Sequence, residues 1–228
     1  MKGKIFVIEG TDGSGKKTQS ELLEKRLNDL GHKCKRLSFP RYDTPTGKII
    51  GGPIQGKDDI CESWFENPGS IEPHVTSLYY AADRLYNLKE INEYLDKGYY
   101  VILDRYTTSN LAHQGGKIED KDERFNMYQW IDKLEYWLLG LPKPDLTIFL
   151  HVPYEFSLEL NRQKEVSDAV EKDEVYMKNA EIAYVELAGL YNWHKINCIK
   201  EDKLRTIEDI SDDILGLIIE KIKLQKDN

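Results

Sequence analysis

The sequence has few cysteines and no spacing that would pair them. Its 228 residues include only Cys34, Cys61 and Cys198, without a CxxC pair. An odd and sparse set argues against a disulfide framework and against a cysteine-ligated zinc site. Because such cysteine usage is typical of a reducing compartment, we expect the protein in the cytoplasm.

Long apolar runs and an excess of positive charge are also absent. No run approaches the roughly 18 apolar residues that span a bilayer, so we expect no membrane partner. The 32 Lys and Arg residues face 40 Asp and Glu, which leaves a net charge of −8 and argues against a nucleic-acid partner. Residues 4–9 already have the pattern of a strand, which predicts that no signal peptide precedes the fold. Without a Pro/Gly/Ser-rich linker, we expect a single domain over residues 1–228.

Short apolar segments alternate with helical patterns along the chain. Unbroken apolar strands are typical of a parallel sheet that helices cover on both faces, so we predict an α/β fold. The predicted strands cover residues 5–8, 37–39, 100–103, 146–150 and 196–199. The predicted helices end at Gly31, cover 74–96, 123–139 and 177–190, and close the chain after a Thr206 cap. Since ligands bind beyond the carboxyl ends of parallel strands, chemistry is expected after Glu9, Phe39 and Leu103.

Residues 10–18 have the spacing of a P-loop between a predicted strand and a predicted helix. In such a loop, backbone N–H groups and the helix N-terminus form an anion nest, and the lysine reaches the β- and γ-phosphates. The pattern predicts an ATP-binding segment within a P-loop NTPase-type fold. Its residues are Gly10, Thr11, Asp12, Gly13, Ser14, Gly15, Lys16, Lys17 and Thr18.

One position departs from the P-loop pattern. The residue after the motif lysine is normally Ser or Thr, whose hydroxyl holds Mg²⁺, and here it is Lys17. Thr18 does not replace it, because one residue along a helix rotates the side chain by roughly 100°. We therefore expect nucleotide, water and a carboxylate to hold Mg²⁺, while Lys17 contacts phosphate or solvent.

A second cluster follows the predicted strand at 100–103. Asp104, at the end of that strand, has the place of a carboxylate that binds nucleotide-bound Mg²⁺, and Arg105 suits a bidentate contact with a second phosphate. A satisfied Asp–Arg pair that only terminates the strand is the structural alternative. Neither the Asn-Lys-x-Asp sequence nor the DxxG switch of a GTPase is present.

Four segments together resemble the thymidylate kinase family of nucleoside monophosphate kinases. They occur in the family's order and at similar intervals, and the similarity continues weakly to the C-terminus. The P-loop alone indicates only phosphate binding, whereas the combination is much more specific. The segments are residues 9–19 (EGTDGSGKKTQ), 39–42 (FPRY), 78–84 (LYYAADR) and 104–115 (DRYTTSNLAHQG).

The resemblance implies ATP-dependent phosphorylation of thymidine monophosphate, with Mg²⁺ as cofactor. Lys16 and Arg105 would be catalytic, and Asp12 would accept the sugar 3′-hydroxyl and lie near the metal with Asp104. Tyr80 and Arg84 would stack on the base and bind its edge, since residues four apart share a helix face. The implied acceptor pocket also contains Phe39, Arg41, Tyr42, Ser109, Asn110, His113 and Gln114.

Two further expectations come from the resemblance. The polar residues 162–173 fall where this fold places its lid, and Arg162 is the candidate for the transferring phosphate, ahead of Lys164 and Lys172. Many family members have Tyr or Phe at the position of His113, where the ring crowds the 2′ side of the sugar.

Members of the family are commonly homodimers. The helices around Trp130, Tyr136 and Trp137 could supply that interface, although packing within one chain explains them equally well.

Two other functions remain open from the sequence. A deoxynucleoside kinase shares the P-loop and the Asp–Arg pair, but Arg41 and Arg105 favour a monophosphate acceptor. A catalytically weak nucleotide-binding regulator would accommodate Lys17 and the arginine-poor residues 162–173.

The P-loop assignment predicts that Lys16→Ala lowers turnover by several orders of magnitude, because the donor phosphates lose their principal cation. Turnover is measured as ADP release, and circular dichroism confirms that the variant is folded. A folded Lys16→Ala protein with near-normal activity would show that residues 10–18 are not a P-loop.

Overall fold

The computed structural model describes residues 2–57, 59–157 and 174–226. A five-stranded parallel sheet with the strand order β2-β3-β1-β4-β5 forms its centre, which confirms the predicted fold class. The strands are β1 (Lys4–Gly10), β2 (Cys34–Ser38), β3 (Tyr100–Asp104), β4 (Leu146–His151) and β5 (His194–Asn197). The short strands β6 (Ile199–Lys200) and β7 (Lys203–Leu204) form a separate antiparallel pair.

Helices flank the sheet in the described part of the chain. They are α1 (Lys16–Asp29), α2 (Pro45–Ile49), α3 (Pro73–Tyr86), α4 (Leu88–Asp96), α5 (Thr107–Gly115), α6 (Lys121–Asp132), α7 (Glu174–Leu190) and α8 (Ile207–Lys226). Two π-helical segments, Ile50–Ile54 and Lys133–Leu138, continue α2 and α6. A 3₁₀ turn covers Pro68–Ser70. None of the described helices is long and apolar enough to cross a membrane.

The central strand explains why helices lie on both faces. Phe6 and Ile8 contribute to one hydrophobic cluster, whereas Ile5 and Val7 contribute to the other. Because successive side chains of a strand point to opposite faces, an unbroken apolar strand must be covered twice. The first cluster receives Leu23 and Leu27 from α1 and Ile210, Ile214, Ile218 and Ile222 from α8. The second receives Ile91 and Leu95 from α4.

Two helix predictions were wrong in detail. The helix predicted over 74–96 is interrupted at Asn87, whose side-chain amide donates to the carbonyl oxygen of Asp83 at 2.8 Å and so competes with helical hydrogen bonding. The helix predicted over 123–139 ends as an α-helix at Asp132 and continues as a π-helix. Single π-helical turns are frequent at functional sites, and this one carries the buried Glu135.

The predicted boundaries of two helices agree with the structure, whereas those of the last strand do not. Gly31 has a φ of 83° and ends α1, as predicted. The hydroxyl of Thr206 accepts a 3.1 Å hydrogen bond from the N–H of Asp209 and caps α8. The strand predicted at 196–199 is instead His194–Asn197, followed by a separate strand, because the pairing with β4 ends at Asn197. The predicted lid, 162–173, lies outside the described residues.

The strand register brings the predicted loops to one edge of the sheet. Ile8 of β1 and Ser38 of β2 both pair with Asp104 of β3. The chain therefore leaves three adjacent strands at the same level, and the segments that follow them can face one another. This edge is where an open α/β sheet binds its ligands.

Candidate active site

The loop of residues 10–18 connects the end of β1 to the first turn of α1. Gly13 and Gly15 have φ angles of 84° and 83°, a left-handed backbone that glycine adopts without steric strain. At Gly10 a Cβ atom would lie 2.7 Å from the carbonyl oxygen of Leu150, so only glycine fits. No described side chain caps α1, which leaves the N–H groups of its first turn available to an anion.

Lys16 is folded over this loop. Its Nζ atom donates a 2.7 Å hydrogen bond to the carbonyl oxygen of Thr11 and lies 3.8 Å from a carboxylate oxygen of Asp12. Burial, together with the nearby guanidinium of Arg105, lowers the pKa of the Lys16 ammonium to about 8. A bound phosphate would supply the anionic partner that favours the charged form.

Arg105 follows β3 and meets the P-loop. Its φ of 66° is a left-handed conformation, which costs a non-glycine residue about 1–2 kcal/mol and is concentrated at functional sites. Its Nη2 atom donates to Oδ1 of Asp12. Burial is the largest single effect and lowers the pKa of Arg105, but the charges of Asp12, Tyr184, Glu9 and Asp104 together outweigh it and raise the pKa well above the usual arginine value. A permanently charged guanidinium is thus held beside Lys16.

Glu9, at the end of β1, is a fully buried carboxylate. Its Oε1 accepts from the N–H of Tyr106 at 3.1 Å and from the hydroxyl of Thr108 at 2.5 Å. Its Oε2 accepts from the hydroxyls of Ser109 at 2.7 Å and Tyr184 at 2.9 Å. The donors belong to the segment after β3 and to α7. One carboxylate therefore joins three parts of the chain through charge-assisted hydrogen bonds.

Tyr80 and Arg84 lie one turn apart on α3, and both line the same cleft. The Tyr80 hydroxyl accepts a 2.8 Å hydrogen bond from the amide nitrogen of Gln55. The amide oxygen of Gln55 accepts from the Tyr42 hydroxyl, also at 2.8 Å. Gln55, just after the first π-helical segment, thereby couples two aromatic side chains that come from different elements.

Arg84 is buried rather than solvated. Its guanidinium forms two 2.5 Å hydrogen bonds with the carboxylate of Glu135, which is also buried. The amide nitrogen of Asn110 donates to the same carboxylate at 2.8 Å. The side-chain oxygens of Asn110 and Gln114 are buried and have no hydrogen-bond partner among the described residues. Since buried acceptors normally find a donor, these two oxygens suit a ligand that carries N–H groups.

Phe39 and Arg41, which follow β2, lie in different environments. Phe39 is buried and lines the cleft. The guanidinium of Arg41 instead donates to Asp43 at 3.2 Å and to Glu90 at 2.8 Å, and Arg41 is not among the residues that line the cleft. To contact an acceptor phosphate, the guanidinium of Arg41 would have to break its hydrogen bonds with Asp43 and Glu90.

The two candidate metal ligands are both paired with arginine. Asp104 accepts a 2.7 Å hydrogen bond from Arg36, and Asp12 accepts from Arg105. Lys17 and Thr18 are exposed and line the cleft. Within the described residues, no group of three or more His, Cys, Asp and Glu side chains could hold a metal ion.

A cleft of about 470 Å³ brings most of the predicted site residues together. It extends from the P-loop to α3, so that one end is cationic and the other aromatic. Gly10, Thr11, Ser14 and Arg41 do not line it, and Arg162 lies outside the described residues. The predicted residues that do are Asp12, Gly13, Gly15, Lys16, Lys17, Thr18, Phe39, Tyr42, Tyr80, Arg84, Asp104, Arg105, Ser109, Asn110, His113 and Gln114.

Several residues of the site were missed in the sequence. Gln55, Arg36, Glu135 and Tyr184 belong to no motif, and their partners are distant along the chain. Glu9 was assigned to the family pattern without a role. One signal could have identified Glu9: a carboxylate that ends an apolar strand must have buried partners, because an unpaired buried charge is very costly.

Comparisons with known proteins show which family this chain is similar to. The model of the family described as thymidylate kinase matches residues 8–214. A thymidylate kinase of Plasmodium falciparum (isolate 3D7) is 32% identical over 225 residues, which cover 98% of this chain and 93% of that protein. A thymidylate kinase of Prochlorococcus marinus (strain NATL2A) is 34% identical over 227 residues, which cover 97% of this chain and 100% of that protein. The solved structure of a thymidylate kinase from Candida albicans superposes with a TM-score of 0.71 at 27% identity, covering 97% of this chain and 93% of that one.

The hydrogen bonds of Glu9 predict a large effect for Glu9→Gln. One carboxylate oxygen becomes an amide nitrogen that faces two donors, and we expect the free energy of unfolding to fall by about 2–3 kcal/mol. Urea denaturation measures the change.

Glu186→Gln is the matched control. Glu186 also accepts from a guanidinium and a hydroxyl, those of Arg124 and Tyr128, but its side chain is 31% exposed. We expect a loss below about 1 kcal/mol. Equal losses in the two variants would contradict the role given to Glu9.

Proposed function

The chain belongs to the thymidylate kinase family, and we propose that its cleft holds ATP at the P-loop end and thymidine monophosphate at the α3 end. The family's reaction is the ATP-dependent phosphorylation of thymidine monophosphate to the diphosphate, and this chain is a phosphotransferase of that kind. One observation supports the placement above the others. The Lys16–Arg105–Asp12 cluster and the Tyr80–Arg84 pair line one continuous cleft.

The cationic end of the cleft supplies what phosphoryl transfer needs. The acceptor phosphate attacks the γ-phosphorus in line, so no covalent enzyme intermediate is required, and catalysis consists mainly of positioning and charge stabilisation. Lys16 would contact the donor phosphates. Arg105, held at its Nη2 atom by Asp12, would orient the phosphate that is attacked or transferred. Arg162, in the proposed lid, remains our candidate for a further cationic contact with the transferring phosphate.

The aromatic end suits a pyrimidine base. Tyr80 and Phe39 offer apolar ring surfaces in the cleft, and Arg84 offers donors to a carbonyl oxygen of the base. The unpartnered side-chain oxygens of Asn110 and Gln114 match the N–H group that thymine carries between its two carbonyls. Asp12 would accept the 3′-hydroxyl of the sugar.

The residues also fit Mg²⁺ as the cofactor. This ion takes one or two carboxylates together with water and substrate phosphates rather than a complete protein cage. Asp104 and Asp12 are carboxylates that line the cleft. Bound there with the nucleotide, Mg²⁺ would neutralise phosphate charge during transfer. The usual hydroxyl ligand after Lys16 is replaced by the ammonium of Lys17.

The reaction is tested with purified protein, ATP, Mg²⁺ and a panel of acceptors. We expect ADP release with thymidine monophosphate, chromatographic identification of thymidine diphosphate, and no phosphorylation of thymidine. The Lys16→Ala protein controls for contaminating kinases. Transfer to thymidine alone would indicate a deoxynucleoside kinase. ATP binding without transfer to any acceptor would indicate a regulator.

The ammonium of Lys17 leads us to expect that ATP binding depends only weakly on Mg²⁺. An ammonium attracts phosphate with or without Mg²⁺, whereas a serine acts only through the ion. We expect chelation to weaken ATP binding about fivefold more in Lys17→Ser than in the natural protein, as for an ion contact worth about 1 kcal/mol. Isothermal titration calorimetry with and without EDTA measures both affinities.

Lys25→Ser is the control for the Lys17 experiment. Lys25 is exposed on the same helix and does not line the cleft. Its replacement is expected to leave the metal dependence unchanged. If Lys17→Ser responds to chelation as the natural protein does, Lys17 does not contact the nucleotide.

We also propose that the protein is a homodimer, with α3 as the interface. An apolar stripe on this helix is at least 40% exposed at each position, and contiguous exposed apolar surface marks an interaction site. A two-fold axis would place the stripe against its own copy. Trp137 is also highly exposed, whereas Trp130 packs against His74 with 4.6 Å between ring centroids. The stripe consists of Val75, Leu78, Tyr79, Leu85 and Tyr86.

Leu78→Glu would place two carboxylates at the centre of this interface, and we expect the protein to become monomeric. Sedimentation velocity measures the mass. Leu30→Glu is the control, since Leu30 is equally exposed but follows α1. A Leu78→Glu protein that sediments as the natural one does would place the interface elsewhere or exclude it.

Three further proposals concern the domain, the location and the lid. We propose one kinase domain over residues 1–228, because the sheet and its helices share continuous hydrophobic clusters. We propose a cytoplasmic location, because the three cysteines are unpaired thiols. Residues 162–173 remain the proposed lid.

A further inference from the structure

His113 lies on α5 between Arg105 and two tyrosines of α7. Its Nε2 atom is 3.1 Å from Nη1 of Arg105, and its Nδ1 atom is 3.0 Å from the hydroxyl of Tyr176. The imidazole stacks on Tyr176, with 5.8 Å between ring centroids, and meets Tyr184 edge-on at 5.6 Å. Both ring nitrogens are therefore within hydrogen-bond distance of polar atoms.

The partners determine the protonation of the ring. A guanidinium has only donors, so the contact with Arg105 is a hydrogen bond only if Nε2 carries no proton. A neutral imidazole then carries its proton on Nδ1, where the oxygen of Tyr176 accepts it. Burial and the adjacent Arg105 favour the neutral ring, because they lower the pKa of His113 to about 3. Burial and charge thus indicate a neutral ring, and the contact with Arg105 indicates that its proton lies on Nδ1.

The hydrogen bond acts on the side of Arg105 that Asp12 does not hold. Nη1 lies 3.3 Å from the hydroxyls of Ser109 and Tyr184, which donate their own hydrogens to Glu9 and so can only accept from Arg105. Its distance to His113, 3.1 Å, is the shortest of the three. Together these three acceptors fix the orientation of the guanidinium plane of Arg105.

We propose that His113 is a positioning residue that aligns Arg105 by accepting a hydrogen bond from its Nη1 atom. The proposal rests on the proposed function, since the alignment matters through the phosphate that Arg105 contacts. It differs from a contact with the sugar, because both ring nitrogens already have partners in the protein, Arg105 and Tyr176. It differs from packing, because a ring without an acceptor would not replace it.

The tautomer is tested on the ligand-free protein labelled with ¹⁵N-histidine. Long-range ¹H–¹⁵N correlation spectra, assigned with His113→Gln, are expected to show an unprotonated Nε2 and a protonated Nδ1 near neutral pH. A proton on Nε2 would overturn the proposal. Because this measurement needs no turnover, it separates the inference from the proposed function, which fails instead if the natural protein does not phosphorylate thymidine monophosphate.

Two variants separate positioning from packing. His113→Phe keeps the ring and its stacking on Tyr176 but removes the acceptor, and we expect kcat to fall roughly tenfold with little change in KM. His113→Gln removes the ring but restores an amide acceptor near the place of Nε2, and we expect kcat within about threefold of the natural value. Thermal denaturation verifies that both variants are folded.

The opposite results would overturn the proposal. A structural ring would leave His113→Phe fully active and impair His113→Gln, and an equal loss in both variants would also exclude an acceptor role. A residue that contacts the sugar would instead change the ratio of kcat/KM for thymidine monophosphate and its ribose counterpart in His113→Phe, without the loss of kcat.

Discussion

The carboxylate of Glu9 is the interaction on which the site depends. It ends the central strand, is fully buried, and accepts hydrogen bonds from the segment after β3 and from α7. A buried charge is tolerated only when its partners are in place, so formation of the sheet and formation of the cleft are linked. The same bonds orient the hydroxyls of Ser109 and Tyr184, whose remaining lone pairs face Arg105.

The cations of the cleft are arranged before any phosphate arrives. Arg105 is paired with Asp12, and Lys16 contacts a backbone carbonyl and lies near the same carboxylate. At the other end, Arg84 is held by two hydrogen bonds to Glu135. Neighbouring charges raise the pKa values of Arg105 and Arg84 despite their burial and so keep both guanidinium groups charged. Preorganised charge of this kind stabilises a transferring phosphate without reorganisation during the reaction.

Two residues of the site differ from those expected at their positions, and each acts through the groups beside it. Lys17 stands where a hydroxyl normally binds the metal, and it adds a second cation at the mouth of the cleft. His113 stands where the resemblance leads one to expect Tyr or Phe, and its nitrogen faces Arg105. Both changes place a nitrogen atom beside residues for which we propose contacts with phosphate.

The sequence by itself determined the parallel α/β sheet, the glycine-rich loop that joins β1 to α1, and the capped start of α8. These features are local: glycine spacing, apolar strands and helix caps such as Thr206 act within a few residues, so they can be read along the chain. Only the tertiary structure decided that Arg84 is buried on Glu135, that Arg41 pairs with Glu90, and that Glu9 joins β1 to α7. These partners are far apart in sequence, and hydrogen bonds between distant side chains exist only after packing has brought their elements together.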